Sequence, residues 1–221
     1  MQNKRLDLFK YLTIMHTKKE QEQEHSQFEV LIQGLINDKY GCCDDFFDTN
    51  TISGLRNNIK RLRASEDMKA AGIGNKTEYQ KDKLFRGDKI KWIEDKSENE
   101  YEAGFVKKIG DFINHLNTTC YTSIKEFESH YAHYEKKSFY KRHLDQFKSD
   151  KGRQYSIILY LNEAWQQEDG GVLSLYPEGG AQKDISPLGG RIVFFKSDEM
   201  EHEVFPSLTR NRISIAGWLK N

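Results

Sequence analysis

Little in this chain of 221 residues points to crosslinking, to rigid coil or to a membrane. It has three cysteines, two of them adjacent at Cys42 and Cys43. That odd count without metal-ligand spacing argues against a disulfide scaffold and reads as small apolar residues in a reducing compartment. Three prolines against 16 glycines exclude collagen-like and proline-rich classes. No stretch approaches the roughly 20 apolar residues of a membrane span. The opening MQNKRLDLFKYLTIMHTKKEQEQEHS has no signal-peptide run, so a cytoplasmic protein without membrane association is expected. Charge of one sign is missing too: 34 Lys plus Arg balance 34 Asp plus Glu, and no nucleic-acid partner is expected. The length suits one domain with a sizeable core, and nothing demands more than a monomer.

What is present falls into two halves. Residues 1–27 form a charge-rich polar arm, kept outside the core, and residues 28–221 form a single domain. Within it, 28–117 reads as helical support. FEVLIQGLINDK (28–39) sets Phe28, Leu31 and Leu35 on one helical stripe, and Thr51 to Arg63 does the same with Ile52, Leu55 and Ile59. Between Ala70 and Lys83 a polar, glycine-bearing stretch reads as a long loop before the strand-like KIKWI at 89–93. Tyr101 to Leu116 is an amphipathic helix with Phe105, Ile109, Phe112, Ile113 and Leu116 on its apolar face. Residues 118–221 are different. FESHYAHY, SIILYLN, GVLSLYP, IVFFKS, EHEVFP and ISIAGWL give at least six short strands in 127–221, which predicts an antiparallel sandwich or barrel. Helices first and strands after make the class α+β, mainly β.

His143-Leu144-Asp145 places an imidazole and a carboxylate two residues apart, on one face if the backbone is extended. Alone, such a triplet is commonplace in solvated loops. His202 lies 57 residues beyond Asp145, opening the strand EHEVFP, where intervening strands can fold it back beside the triplet. Two His and one carboxylate form the facial ligand set of non-haem Fe(II) oxygenases, although a zinc hydrolase can use the same three. Arg212 separates the two. Ten residues after His202 it opens RISIAGWL, where an inward guanidinium can grip the far carboxylate of a metal-chelating dicarboxylic acid. Together with the triad this implies 2-oxoglutarate. Arg210 would share the face of Arg212, and either could instead be a surface arginine. His130 and His133, three residues apart, should point to opposite faces, with one of them lining the pocket. His16, His25 and His115 read as surface residues.

Five ordered blocks then resemble the prolyl hydroxylases of the oxygen-sensing type and their bacterial relatives: FRGDKIKWIE (85–94), SFYKRHLD (138–145), YLNEAW (160–165), GGVLSLYPEG (170–179) and HEVFPSLTRNRISIAGW (202–218). The resemblance runs from about residue 28 onward and implies a double-stranded β-helix, a jelly-roll-like core braced by the N-terminal helices. It implies His143, Asp145 and His202 as iron ligands and Arg212, Tyr160 and Tyr134 as the residues holding 2-oxoglutarate. Leu173 and Trp218 would line the pocket. Asp88 and Arg153 would form a charged pair linking the block containing Arg86 to the substrate edge, and residues 71–84 would be a mobile lid. Two departures stand out: one extra residue between His202 and Arg212, and Ala216 where a threonine is expected. The chain also ends three residues after Trp218, without the helix that would wall the groove, so substrate choice is not inherited.

The expectation is therefore an Fe(II)-, 2-oxoglutarate- and O2-dependent dioxygenase of the peptidyl-prolyl 4-hydroxylase type, with ascorbate as a further cofactor. Its partner would be a protein presenting a proline-containing loop. Hydroxylation of a free amino acid or other small molecule is the alternative, and a catalytically silent binding module on the same barrel is a third.

Overall fold

Cap chemistry sets where the helices begin. In a computed structural model, which describes residues 21–72, 86–146 and 151–221, residues 21–38 form helix α1. Helix α2 (Thr49–Ala64) starts where Asp48 accepts from the Thr51 amide at 2.9 Å. Helix α3 (Glu100–Thr119) starts where the Asn99 side chain accepts from the amides of Tyr101 and Glu102 at 3.1 Å each. Each cap satisfies amides that a first turn leaves without a partner. Of the expected polar arm, residues 21–27 are the described beginning of α1, where Glu24 pairs with Lys108 at 3.7 Å; the remainder lies outside the described residues.

The described residues also form eleven antiparallel strands: β1 (Tyr40–Cys43), β2 (Lys69–Ala70), β3 (Asp88–Ile93), β4 (Glu126–Tyr134), β5 (Tyr140–His143), β6 (Arg153–Tyr160), β7 (Leu173–Tyr176), β8 (Lys183–Ile185), β9 (Ile192–Lys196), β10 (Glu201–Val204) and β11 (Arg212–Lys220). The major sheet runs β1-β9-β6-β11-β4-β3-β2 and the minor sheet β5-β10-β7-β8. All six expected strands are present. Strands β1, β5 and β8 had no clear alternation to announce them.

Two cores arise from the period of two along the major sheet. Odd positions such as Tyr131, Ile157, Leu159, Ile215 and Leu219 join Phe28, Leu55, Ile59, Phe105 and Phe112 of the helices in one cluster. Alternate positions, including Ala132, Tyr134, Ile158, Tyr160, Val193 and Phe195, turn the other way and meet Leu173, Leu175 and Val204 of the minor sheet. The result is the antiparallel sandwich expected from the strand pattern, in the jelly-roll form that the resemblance implied, with helices covering one outer face. Helix α1 crosses β1 where a Cβ on Gly41 would stand 2.2 Å from the Leu31 carbonyl oxygen, so only glycine admits that approach.

Asn162, just past β6, fastens the open end of the sandwich. Its side chain donates to Pro187 O at 2.7 Å and accepts from Ile213 N at 2.8 Å, in a buried position. Asn162→Ala is expected to lower the unfolding free energy by about 2–4 kcal/mol in urea titration, because it leaves two buried backbone groups without partners. A loss under about 1 kcal/mol would contradict this account.

Candidate metal centre

His143 is the last residue of β5 and His202 lies in β10; antiparallel pairing sets them directly opposite, with ring centroids 4.2 Å apart. Asp145 follows His143 by two residues, as the sequence suggested, and turns its carboxylate between the rings. Nε2 of His143 lies 3.5 Å from Oδ1 and Nε2 of His202 3.6 Å from Oδ2. Each Nδ1 instead faces a backbone carbonyl, Lys141 O at 2.6 Å and Met200 O at 3.1 Å. A carbonyl only accepts, so the ring proton belongs on Nδ1 and the Nε2 lone pairs face the carboxylate. Lone pairs and an anion turned toward one another repel; a cation among them makes the same arrangement favourable. Among the described residues this is the group of three whose ligand atoms, all within 4.8 Å, could hold a metal ion.

Charge and burial hold this protonation. Burial alone would raise the Asp145 carboxyl, but the positive charge that His202 and His143 carry when protonated, with the Ser156 hydroxyl, outweighs it and keeps it well below the ordinary carboxylate range. Burial, then the neighbouring His143, pushes His202 down to about 4. Ser156 Oγ donates to Asp145 Oδ2 at 2.7 Å and sits 2.8 Å from Ser197 Oγ. Neither serine was singled out from sequence; a hydroxyl within the apolar run SIILYLN, and another closing IVFFKS, were the available signals.

Arg212 is 2% exposed, its Nε donating to Gly171 O at 3.1 Å. No acid among the described residues pairs with it. Its guanidinium lies over the rings of Tyr160 and Tyr134, at 4.9 and 5.1 Å. Burial raises the Tyr160 hydroxyl pKa and Arg212 draws it partly back, yet the buried oxygen makes no hydrogen bond of ordinary geometry. A buried cation without an anion beside an orphaned hydroxyl fits a carboxylate from outside the chain. Arg210 stays at the surface, paired with Asp169 at 3.2 Å.

At the opposite end of the same face, Trp218 stacks on His130 at 5.3 Å, and Trp92 lies 5.0 Å from His130. His130 thus turns toward the pocket and His133 away from it. The Arg153 guanidinium covers Trp218 at 3.5 Å. The expected Asp88–Arg153 pair is not made: Asp88 pairs with Arg86 at 2.6 Å and Arg153 with Glu128 at 3.0 Å. Register is the reason. Asp88 is opposite Tyr134, whereas Glu128 is six residues along β4, about 20 Å away. Arg86 instead lies 4.3 Å over Tyr140, whose ring stacks on His143 at 3.6 Å. Tyr140 is another neighbour of the site that sequence alone did not mark. Leu173 is fully buried between the sheets, opposite Val204. The expected lid falls on residues 71–84, of which 73–84 lie outside the described residues.

Ser156→Ala is expected to weaken metal binding about 10- to 100-fold, measured by Co(II) titration, with the fold retained. Acid sensitivity follows from two other groups. Burial holds His130 at about 3 and His133 at about 4, below the ordinary 6.5. The unfolded chain therefore binds protons first, and stability falls as pH drops from 6.5 toward 4. The melting temperature should decline over that window, less steeply in His130→Gln or His133→Gln; equal slopes would refute the assignment.

Comparison with known proteins agrees with this geometry. Residues 129–220 match the family model described as 2OG-Fe(II) oxygenase superfamily. Human Egl nine homolog 1 is 33% identical over 190 residues, covering 81% of this chain and 44% of that protein; for the rat protein the figures are 33%, 81% and 55%. The chain thus spans about half the length of these curated relatives. A Pseudomonas putida prolyl-4-hydroxylase structure superposes with a TM-score of 0.79 at 29% identity, covering 88% of this chain and 98% of that one. A Trichoplax adhaerens prolyl hydroxylase, solved with a hypoxia inducible factor oxygen degradation domain peptide, has the same fold, with a TM-score of 0.78 at 22% identity over 91% and 92% of the two chains. His143, Asp145, His202 and Arg212 all lie within residues 129–220, the segment that matches the 2OG-Fe(II) oxygenase superfamily model.

Proposed function

We propose that this chain is an Fe(II)- and 2-oxoglutarate-dependent dioxygenase that hydroxylates a prolyl residue in a loop of a partner protein. The observation that carries the reading is a His-Asp-His set sharing one sandwich with a buried arginine that pairs with no acid among the described residues. A zinc hydrolase would leave Arg212 and Tyr160 without a task. The likeness to the Pseudomonas putida prolyl-4-hydroxylase favours proline, and the peptide bound to the Trichoplax adhaerens prolyl hydroxylase favours a protein substrate.

His143, Asp145 and His202 would hold the iron, with Ser156 fixing the carboxylate orientation. When bound, iron together with 2-oxoglutarate and O2 supplies the oxidation: the oxo acid becomes succinate and CO2, and one oxygen atom ends as hydroxyl on the substrate carbon. Arg212 would bind the far carboxylate of 2-oxoglutarate through paired N–H groups, with Tyr160 donating to the same oxygens and the Tyr134 ring closing one side. Trp218 and Arg153 stand where a substrate would enter, and Arg86, held by Asp88, braces the outer ring of the Tyr140–His143 stack. Leu173 and its neighbours exclude water behind the metal. Ascorbate as the reductant that maintains ferrous iron, a reducing cytoplasmic setting and action as a monomer complete the proposal; the three cysteines, all free thiols, suit that setting.

Succinate production should require both added Fe(II) and 2-oxoglutarate and vanish in His143→Ala. Arg212→Gln should raise the KM for 2-oxoglutarate about 10- to 100-fold, the expected effect of losing a buried charge-assisted pair. Product formation without 2-oxoglutarate would defeat the oxygenase reading. Incubation with lysate of the source organism should add one oxygen atom to a proline-bearing peptide. Turnover of free proline with no modified peptide would move the substrate to small molecules.

A further inference from the structure

The back of the cosubstrate end of the major sheet holds a second cavity. Arg212 and Tyr134 are register partners on the metal side; their neighbours Ile213 and His133, also register partners, turn to the helix side. There α2 stands off the sheet and leaves a cavity of about 800 Å3, within the range of small-molecule sites. Ile59, Met68, Trp165 and Ile213 give it apolar walls. Its charged lining is unbalanced: Arg56, Lys60, Arg63, Lys89 and Arg210 against Glu66, Glu135 and Glu163.

Most of these charges are already matched. Lys89 pairs with Glu135 at 3.1 Å, Arg56 with Glu163 at 3.4 Å, and Arg210 with Asp169 at 3.2 Å. Among the described residues Lys60 and Arg63, one turn of α2 apart, have no acid within 4.0 Å, and the one unmatched acid is Glu66 at the rim. The second observation is independent of charge. His133 lines the cavity, is 3% exposed, and its Nδ1 makes no hydrogen bond. A buried ring nitrogen is normally satisfied, and this unsatisfied one belongs to an imidazole in the cavity wall, which leaves the ring with hydrogen-bonding capacity beside the cavity. Burial first and the Arg63 charge second keep that imidazole neutral near pH 7, with a pKa of about 4, which places Arg63 electrostatically against the same ring.

We propose that this cavity binds a small organic anion, a carboxylate or phosphate on an apolar or aromatic body, with Lys60 and Arg63 taking the anionic group, His133 a hydrogen bond, and Trp165 with Met68 the body. The site is separate from the metal centre and does not depend on the oxygenase reading.

Phenyl phosphate and phenylacetate, titrated calorimetrically into the full chain with benzyl alcohol as the neutral control, test it. Saturable binding of either anion, shifting the Trp165 indole and Ile213 amide NMR signals and leaving Trp218 unmoved, is the expected result; the tighter anion identifies the headgroup. The exposed double variant K60Q/R63Q should fold normally and bind about five- to tenfold more weakly. His133→Phe, which preserves the ring volume, should also weaken binding. Equal affinity for benzyl alcohol, shifts centred on Trp218, indifference to both variants, or no binding by either anion would each overturn the proposal.

Discussion

The pairing of β10 with β5 is the constraint on which the site depends. Its register places His202 opposite His143 on the inner side of the minor sheet, and a slip of one residue would turn His202 outward. The neighbouring pairs show how that register is held. Leu175 stands opposite His202 from the other flank, and Val204 stands opposite both Leu173 and Tyr140. Apolar side chains buried at these positions would be exposed by a slip, so the hydrophobic core fixes the metal geometry.

The major sheet works by the same alternation on a larger scale. One set of side chains seals against α1, α2 and α3, and the other builds the chemistry. Arg212, Tyr134 and Tyr160 share the inner face because they are in register or on neighbouring strands, and the sheet keeps a guanidinium in a place that water cannot stabilise. Such a charge is tolerable when a ligand anion completes it. The hydroxyls of Ser156 and Ser197 play a related part for Asp145, orienting its buried carboxylate. Even the back of the sheet inherits this order, since His133 and Ile213 face the rear cavity only because Tyr134 and Arg212 face the front.

Much of this was legible in the residues. The helical stripes around Phe28, Ile52 and Phe105 and the alternation of FESHYAHY and ISIAGWL are local, and a period is set by backbone geometry before any tertiary contact forms. His143, Asp145, His202 and Arg212 were legible because metal and carboxylate chemistry restricts the residue types that can serve. Strands β5 and β8 were not, because YKRH and KDI are mostly polar and carry no apolar alternation to register. The partners of Asp88 and Arg153 were not either: both belong to the expected blocks, but the register of β3 along β4 puts Asp88 far from Glu128, where Arg153 is anchored.

By itself the sequence determined the class of fold and marked His143, Asp145, His202 and Arg212 as candidate site residues, since these rest on side-chain chemistry and local period. Only the tertiary structure decided which side chains meet. The stacking of Tyr140 on His143, the serine pair behind Asp145, the pairing of Arg86 with Asp88, and the rear cavity floored by His133 all depend on strand register, which is set by contacts between residues distant in the chain.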